Sequence, residues 1–129
     1  MKTILVDAVH AFVIKGEGIY KPLFDLLESY PNQKIILTGA DDKQMVEFGL
    51  SNMPYDVFTL KHNPEKTNSL YYQKMLENFG LTKNDVIYFE HDLKAVESAQ
   101  SVGIVSHYYD SEKKDLADLK KFFDENLKN

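Results

Sequence analysis

Five short apolar runs, rich in β-branched and aromatic residues, punctuate the chain and predict buried strands. The first run, Ile4-Leu5-Val6, ends at Asp7, which places a carboxylate at the end of a strand. Short, continuous apolar runs are typical of strands that are covered on both faces of a parallel sheet. The predicted strands span residues 2–6, 34–37, 55–60, 85–89 and 104–108.

Between these runs, apolar residues recur at helical spacing and predict five amphipathic helices. The first begins at Pro22 and ends near Pro31-Asn32, and the second opens at Asp41-Asp42. The third starts at Thr67 and the last from about Ser111. The apolar positions of the second to fifth helices are Met45, Val46 and Leu50; Tyr71, Tyr72, Met75, Leu76 and Phe79; Ala95, Val96, Ala99 and Val102; and Leu116, Leu119, Phe123 and Leu127.

Strand and helix patterns alternate along the chain, which predicts right-handed βαβ units and a parallel sheet. The predicted fold is a doubly wound, five-stranded, three-layer α/β domain that covers residues 1–129. Residues 12–19 are punctuated by glycines and predict a loop or a small hairpin after the first strand. The intervals between Asp7, Thr38 and Lys66 hold only this segment, two helices and one strand, so no cap domain is expected.

The composition of the chain argues against several classes of function. A net charge of −5 over 129 residues argues against a nucleic-acid-binding surface. The chain has no cysteine, which excludes disulfides, thiolate metal sites and a thiol nucleophile. No apolar stretch approaches the roughly 18 residues of a membrane span, and the first run is too short for a signal peptide. We therefore expect a cytoplasmic protein that binds neither nucleic acid nor membrane.

Candidate chemistry lies at the predicted strand ends. Asp7 follows the first strand and Thr38 the second, while Lys66 comes after the third and Glu90-His91-Asp92 after the fourth. Ligands bind at the carboxyl ends of strands in open α/β sheets, so these side chains can converge on one edge. An acid, a hydroxyl, a lysine and further acids are the groups expected of a phosphate and magnesium site.

These segments are similar to the four motifs of the haloacid dehalogenase-like superfamily, and the resemblance covers nearly the whole chain. The matching segments are Ile4-Leu5-Val6-Asp7, Ile35-Ile36-Leu37-Thr38-Gly39, Lys66-Thr67-Asn68-Ser69 and Asp85-Val86-Ile87-Tyr88-Phe89-Glu90-His91-Asp92 with the trailing Ala95-to-Gly103 segment. The resemblance implies a Mg²⁺-dependent phosphohydrolase in which Asp7 is the nucleophile and Lys66 balances charge. It also implies that Thr38 and Gly39 bind phosphate. The implied metal-binding positions are Asp7, Val9, Glu90 and Asp92.

Two departures from the family pattern predict impaired or atypical chemistry. Val9 stands where the family's phosphatases usually carry a second aspartate, their general acid and base. Such a group contributes typically 10²–10⁴-fold in rate, so a slow phosphatase is expected unless His10 supplies the proton. The usual aspartate pair of the fourth motif is replaced by Glu90-His91 or His91-Asp92. Mg²⁺ prefers oxygen ligands, so Glu90 or Asp92 suits it and His91 does not.

Other interpretations of these residues remain open. Thr38 can be a strand-end residue whose hydroxyl satisfies the nearby backbone. Lys66 can be a solvated residue before a helix, with Lys61 as the alternative charge donor. His91 and Asp92 are interpreted as a helix cap with a polar neighbour, although His91 could suit Zn²⁺ together with Asp7. The remaining histidines, His10, His62 and His107, are predicted to be surface or loop residues.

Three functions are consistent with this pattern. The first is a capless phosphohydrolase that acts on a phosphorylated substrate. Because its site is open, either the substrate can be large or a second copy or a partner subunit covers the site. The second is a catalytically weakened relative that serves as a binding or interaction module. The third is a phosphoacceptor domain of the receiver type, which requires an aspartate after the third strand, where this chain has Leu60-Lys61.

Overall fold

The computed structural model describes residues 1–127, so the last two positions of the predicted domain lie outside the described residues. The strands are β1 (Thr3–Asp7), β2 (Val13–Ile14), β3 (Gly18–Ile19), β4 (Lys34–Thr38), β5 (Asp56–Thr59), β6 (Val86–Glu90) and β7 (Val105–Tyr108). The helices are α1 (Lys21–Glu28), α2 (Asp42–Glu47), α3 (Ser69–Phe79), α4 (Leu93–Ser101) and α5 (Leu116–Asn126). A 3₁₀ turn, Lys83–Asp85, precedes β6.

The main sheet has five parallel strands in the order β5-β4-β1-β6-β7, with β1 at its centre. The strand order runs outward from β1 in both directions, which confirms the predicted doubly wound α/β architecture. If only the five strands of this sheet are numbered along the chain, leaving out β2 and β3, the order is 3-2-1-4-5. Receiver-type domains have the order 2-1-3-4-5, so the topology excludes the third interpretation of the sequence.

Two apolar cores lie on opposite faces of this sheet. Alternate residues of β1 point to opposite faces, so Ile4 contributes to one core and Leu5 to the other. The first core packs against α1 and α5, and the second against α3 and α4. The helical residues fully buried in them are Leu23, Leu27, Leu119 and Phe123 on one face and Tyr71, Tyr72, Met75 and Ala99 on the other. Burial on both faces explains why the strands read as unbroken apolar runs.

Two helices differ from their predicted extents. Helix α2 is short and has no fully buried residue, and Val46 is exposed. The last helix begins at Leu116 rather than near Ser111, because the Asp115 side chain caps it. Residues 111–113 form a turn in which the Asp110 carboxylate accepts two backbone N–H groups, so the apolar spacing set the packed face but not the helix start.

The segment after β1 forms a small hairpin in which β2 and β3 pair antiparallel. This outcome matches one of the two predicted forms of the glycine-punctuated segment. Between β1 and β4 the structure has only this hairpin and α1, and between β4 and α3 only α2 and β5, so neither interval holds a cap domain. Within residues 1–127, every helix is too short or too polar to traverse a lipid bilayer.

Candidate functional site

The strand register places two carboxylates side by side. Strands β1 and β6 pair with Leu5 opposite Tyr88, and two residues further along each strand lie Asp7 and Glu90, on the same face of the sheet. Asp7 is 1 % exposed and Glu90 is fully buried. Neighbouring buried carboxylates repel each other and lose their hydration, so this arrangement requires cations between them.

Lys66 supplies the first cation. It follows β5 in the chain, and its ammonium Nζ lies 2.9 Å from Asp7 Oδ1 and 2.6 Å from Glu90 Oε1. Its third contact is the Leu37 carbonyl oxygen, at 3.1 Å. Burial disfavours the charged ammonium, but the two carboxylates outweigh that effect and hold the pKa of Lys66 well above its usual value. The alternative donor, Lys61, lies at the surface, where it pairs with Asp42.

His91 supplies the second cation. Its ring nitrogen Nδ1 contacts Asp7 Oδ2 and lies 3.2 Å from Glu90 Oε2, while its backbone N–H donates to Asp7 Oδ2 at 3.0 Å. Hydrogen bonding to Asp7 and then to Glu90 raises the pKa of His91 to about 10. Each carboxylate therefore faces Lys66 with one oxygen and His91 with the other. We call Asp7, Lys66, Glu90 and His91 the inner cluster.

Glu90 has further donors that the sequence did not reveal. The Tyr88 hydroxyl donates to Glu90 Oε1, and the backbone N–H of Asp92 donates to Oε2 at 3.0 Å. Burial acts to raise the pKa of Glu90, but Lys66 and the hydrogen bonds from His91 and Tyr88 hold it below its usual range. Tyr88 lies two residues before Glu90 on a strand. That spacing, which puts both side chains on one face, was the available signal for their contact.

The inner cluster opens into a pocket of about 340 Å³. Its outer edge carries Gln44, His62 and Glu65, which we call the rim cluster. The two ring nitrogens of His62 lie 2.5 Å from Gln44 Oε1 and 2.6 Å from Glu65 Oε1. His62 was predicted only as a surface or loop residue. Its contact with Gln44 joins α2 to the loop before α3, and no local sequence pattern indicates such a pairing.

Two comparisons with known proteins give no match: no family model and no curated protein matches this chain. Solved structures do match. A HAD family enzyme from Bacteroides thetaiotaomicron, an aspartate-to-alanine mutant in complex with magnesium and inorganic phosphate, has a TM-score of 0.64 at 9 % identity, covering 84 % of this chain and 93 % of that one. The core domain of a candidate phosphoglycolate phosphatase from Streptococcus pneumoniae has a TM-score of 0.65 at 16 % identity, covering 96 % of each chain.

The chain has the haloacid dehalogenase-like fold. An uncharacterized protein from Corynebacterium glutamicum shares it too, with a TM-score of 0.62 at 14 % identity over 96 % of each chain. The resemblance inferred from the four sequence motifs is thereby confirmed at the level of the fold.

In this HAD-like fold the second motif lies at the end of β4, beside Asp7. Thr38 Oγ1 accepts the backbone N–H of Ala40 at 3.1 Å, and the Tyr71 hydroxyl donates to the Thr38 carbonyl at 2.8 Å. The hydroxyl thus satisfies a backbone group, as one interpretation of the sequence expected. Thr38 and Gly39 also line the pocket, so phosphate binding by these two residues stays a prediction.

The expected metal-binding positions are only partly brought together. Among residues 1–127, the metal-ligating side chains that converge are Asp7, Glu90 and His91, whose candidate ligand atoms lie within 4.8 Å of one another. Asp92 caps α4, with Oδ1 accepting the Lys94 N–H at 3.0 Å, as predicted for a helix cap. Val9 lines the pocket, where its only oxygen is the backbone carbonyl. Metal binding by Val9 and Asp92 stays a prediction.

The other histidines occupy different surroundings. His10 is exposed at the mouth of the pocket, with its ring centroid 5.3 Å from that of His91. His107 lies on β7, where it stacks on Phe122 and its Nε2 is 3.0 Å from Asp118 Oδ2. His10 therefore lines the pocket next to Val9, the position of the missing second aspartate, whereas His107 is not among the residues that line it.

Proposed function

We propose that this protein is a phosphohydrolase in which the carboxylate of Asp7 is the nucleophile. The observation that carries the proposal is the inner cluster itself, in which a buried aspartate at the end of the central strand is held by Lys66 in a HAD-like fold. Buried ionisable groups that are paired in a pocket are characteristic of catalytic sites. The pocket provides room for a phosphoryl group beside Asp7.

The proposed reaction has two displacements. An Asp7 oxygen bonds to phosphorus while the bond to the leaving-group oxygen breaks, and that oxygen takes a proton. Water then attacks the aspartyl phosphate and releases inorganic phosphate, which restores the carboxylate. Lys66 pairs with Asp7 and neutralises charge on the transferred group, while Thr38 and the Gly39 amide hold its other oxygens.

A divalent cation belongs to this proposal, and Mg²⁺ is the expected ion. The Bacteroides neighbour binds magnesium with phosphate. In this chain Asp7 and Glu90 would hold the ion, assisted by the Val9 carbonyl and Asp92, and the bound ion would neutralise phosphoryl charge. The carboxylates fit Mg²⁺, whereas His91, which lies against both of them, brings a nitrogen that Mg²⁺ does not favour.

Proton transfer is the weak point of this mechanism. Val9 cannot donate a proton to the leaving group or activate water, so turnover is expected to be slow. His10, which lines the same pocket, is the available substitute. We expect Val9→Asp to increase turnover, within the roughly 10²–10⁴-fold range of a general acid, in an aryl phosphate assay. Unchanged turnover in this variant would show that a missing carboxyl group does not limit the rate.

A second candidate function is a binding or interaction module without turnover. It is favoured by the complete pairing of the inner cluster, where Lys66, His91, Tyr88 and two backbone N–H groups occupy the oxygens of Asp7 and Glu90. A carboxylate with two cationic partners is stabilised in its ground state and is a weaker nucleophile. Under this candidate function the protein binds phosphorylated ligands or a partner and does not hydrolyse them.

The open pocket bears on the substrate and partners. Because no cap domain covers it in the described part of the chain, the leaving group of a phosphorylated substrate can extend into solvent. We propose either a large phosphorylated substrate or closure of the site by a second copy or a partner subunit. Binding of nucleic acid or membrane is not part of the proposed function.

The test is hydrolysis of an aryl phosphate by wild type, Asp7→Asn and the exposed-site control Asp56→Asn, each with and without Mg²⁺. The proposal predicts turnover that requires Asp7, requires the cation and is retained in the control. Turnover that persists in Asp7→Asn would refute the nucleophile. Absence of turnover in all three proteins, together with phosphate binding that Asp7→Asn changes, would favour the binding module.

A further inference from the structure

One side of the inner cluster presents three metal-ligating atoms. Lys66 Nζ occupies Asp7 Oδ1 and Glu90 Oε1, so the second oxygen of each carboxylate points away from the ammonium. Those two oxygens, Asp7 Oδ2 and Glu90 Oε2, both face His91 Nδ1. The cluster therefore has an ammonium side and a mixed side, on which two oxygens converge with one nitrogen.

The spacing on the mixed side is close to that of ligands around one metal ion. His91 Nδ1 lies 3.2 Å from Glu90 Oε2 and in direct contact with Asp7 Oδ2. Metal–ligand bonds of about 2.0–2.2 Å place neighbouring ligand atoms roughly 3 Å apart. An ion could thus replace the hydrogen shared by these atoms with small shifts of the side chains.

Backbone donors hold this arrangement in place. The His91 N–H donates to Asp7 Oδ2 and the Asp92 N–H donates to Glu90 Oε2, each at 3.0 Å. The buried Tyr88 hydroxyl donates to the other Glu90 oxygen, Oε1. Hydrogen bonds of this kind orient carboxylates toward a metal and maintain their charge. Two oxygens and one nitrogen are thus fixed before any ion arrives.

We infer that Asp7, Glu90 and His91 form a site for a transition-metal ion such as Zn²⁺ or Co²⁺, with His91 Nδ1 as a ligand. The inference rests on the cation site of the proposed function and changes the ion from the Mg²⁺ expected there. Mg²⁺ requires six oxygen ligands in nearly ideal octahedral geometry, so it would have to displace His91 from two ion pairs. Imidazole nitrogen with carboxylate oxygen is a donor set that Zn²⁺ and Co²⁺ favour.

The first measurement is calorimetric titration of the chelator-treated full chain with ZnCl₂, CoCl₂ and MgCl₂ in separate experiments. We expect one Zn²⁺ or Co²⁺ per chain, bound more tightly than Mg²⁺. His91→Asn should weaken Zn²⁺ binding by roughly 10–100-fold or more, because it removes a ligand that also orients Asp7. The matched control is His107→Asn, which alters a histidine outside the pocket and should leave the affinity unchanged.

A second measurement needs no variant and therefore does not depend on whether His91→Asn folds. The Co²⁺ form should show visible absorption bands of a mixed nitrogen and oxygen site, and a Cu²⁺ form should show nitrogen hyperfine splitting in its electron paramagnetic resonance spectrum. A spectrum with oxygen ligands alone would overturn the inference.

Two calorimetric results would also overturn it. One is Mg²⁺ binding as tightly as Zn²⁺, and the other is Zn²⁺ affinity that is the same in wild type and His91→Asn. The inference and the proposed function fail separately, because one is measured by binding and the other by turnover. Mg²⁺-dependent turnover that requires Asp7, combined with no Zn²⁺ preference, would remove the His91 site and retain the phosphohydrolase.

Discussion

The inner cluster and the rim cluster use similar pairings in different surroundings. In the inner cluster, His91 lies between carboxylate oxygens of Asp7 and Glu90, which are 1 % and 0 % exposed. In the rim cluster, His62 lies between oxygens of Gln44 and Glu65, with His62 and Glu65 side chains 39 % and 54 % exposed. Removing one partner from the rim leaves the other in water, whereas removing one from the inner cluster leaves a buried charge unpaired.

The comparison predicts that substituting a buried lysine lowers the free energy of unfolding much more than substituting an exposed one. Lys66→Met leaves the two buried carboxylates with His91 as their cationic partner within residues 1–127, so we expect a loss of about 3–5 kcal/mol in the free energy of unfolding. Urea unfolding monitored by circular dichroism measures it. A loss below about 1 kcal/mol would show that the inner cluster is energetically no different from a surface ion pair.

The protonation of His91 predicts a pH dependence. Its pKa rises from the ordinary 6.5 in the unfolded chain to about 10 in the folded chain, because of Asp7 and then Glu90. The stability from charged His91 is therefore complete below pH 6.5 and is lost as the pH rises toward 10. Thermal unfolding in chelator-containing buffers across this window measures the loss. His91→Asn is expected to have a flatter profile, and equally steep profiles would refute the assignment.

A smaller effect is expected from the donor behind Glu90. Tyr88→Phe removes a buried hydroxyl that donates to Glu90 Oε1, which should cost about 1–3 kcal/mol in the free energy of unfolding. The matched control is Tyr30→Phe, which removes a hydroxyl bonded to Asp124 at the surface. Equal losses in the two variants, measured by urea denaturation, would mean that burial does not amplify this hydrogen bond.

The smallest effect is expected at an exposed ion pair. Lys61 pairs with Asp42, and the two side chains are 58 % and 83 % exposed. Lys61→Met should change the free energy of unfolding by no more than about 0.5 kcal/mol. Measured under the same conditions as Lys66→Met, it provides the exposed reference. A loss comparable to that of Lys66→Met would remove the distinction between the inner cluster and an exposed ion pair.

Much of the fold could be predicted from hydrophobic periodicity, and much of the site from the residues at the predicted strand ends. Continuous apolar runs indicated strands covered on both faces, and the alternation with helices indicated the doubly wound sheet. Asp7 and Lys66 were placed at one sheet edge by topology alone. Two details were missed. The helix start at Leu116 had a local signal, because Asp115 is a capping residue directly before the first apolar position. The exposure of Val46 had none, because it depends on what packs against α2.

The sequence by itself therefore determined the layers, the five strands of the sheet and the carboxylate at the end of the first strand, because these depend on short-range periodicity. Tertiary structure alone decided which charges are neighbours. Lys66 and His91 reach Asp7 across separations of 59 and 84 residues, and the β1–β6 register sets Glu90 beside it. His91 comes directly after Glu90, the last residue of β6, and only the tertiary structure places its ring against the carboxylates of Asp7 and Glu90. The interaction energy of charges depends on distance and burial, which no sequence spacing specifies over such separations.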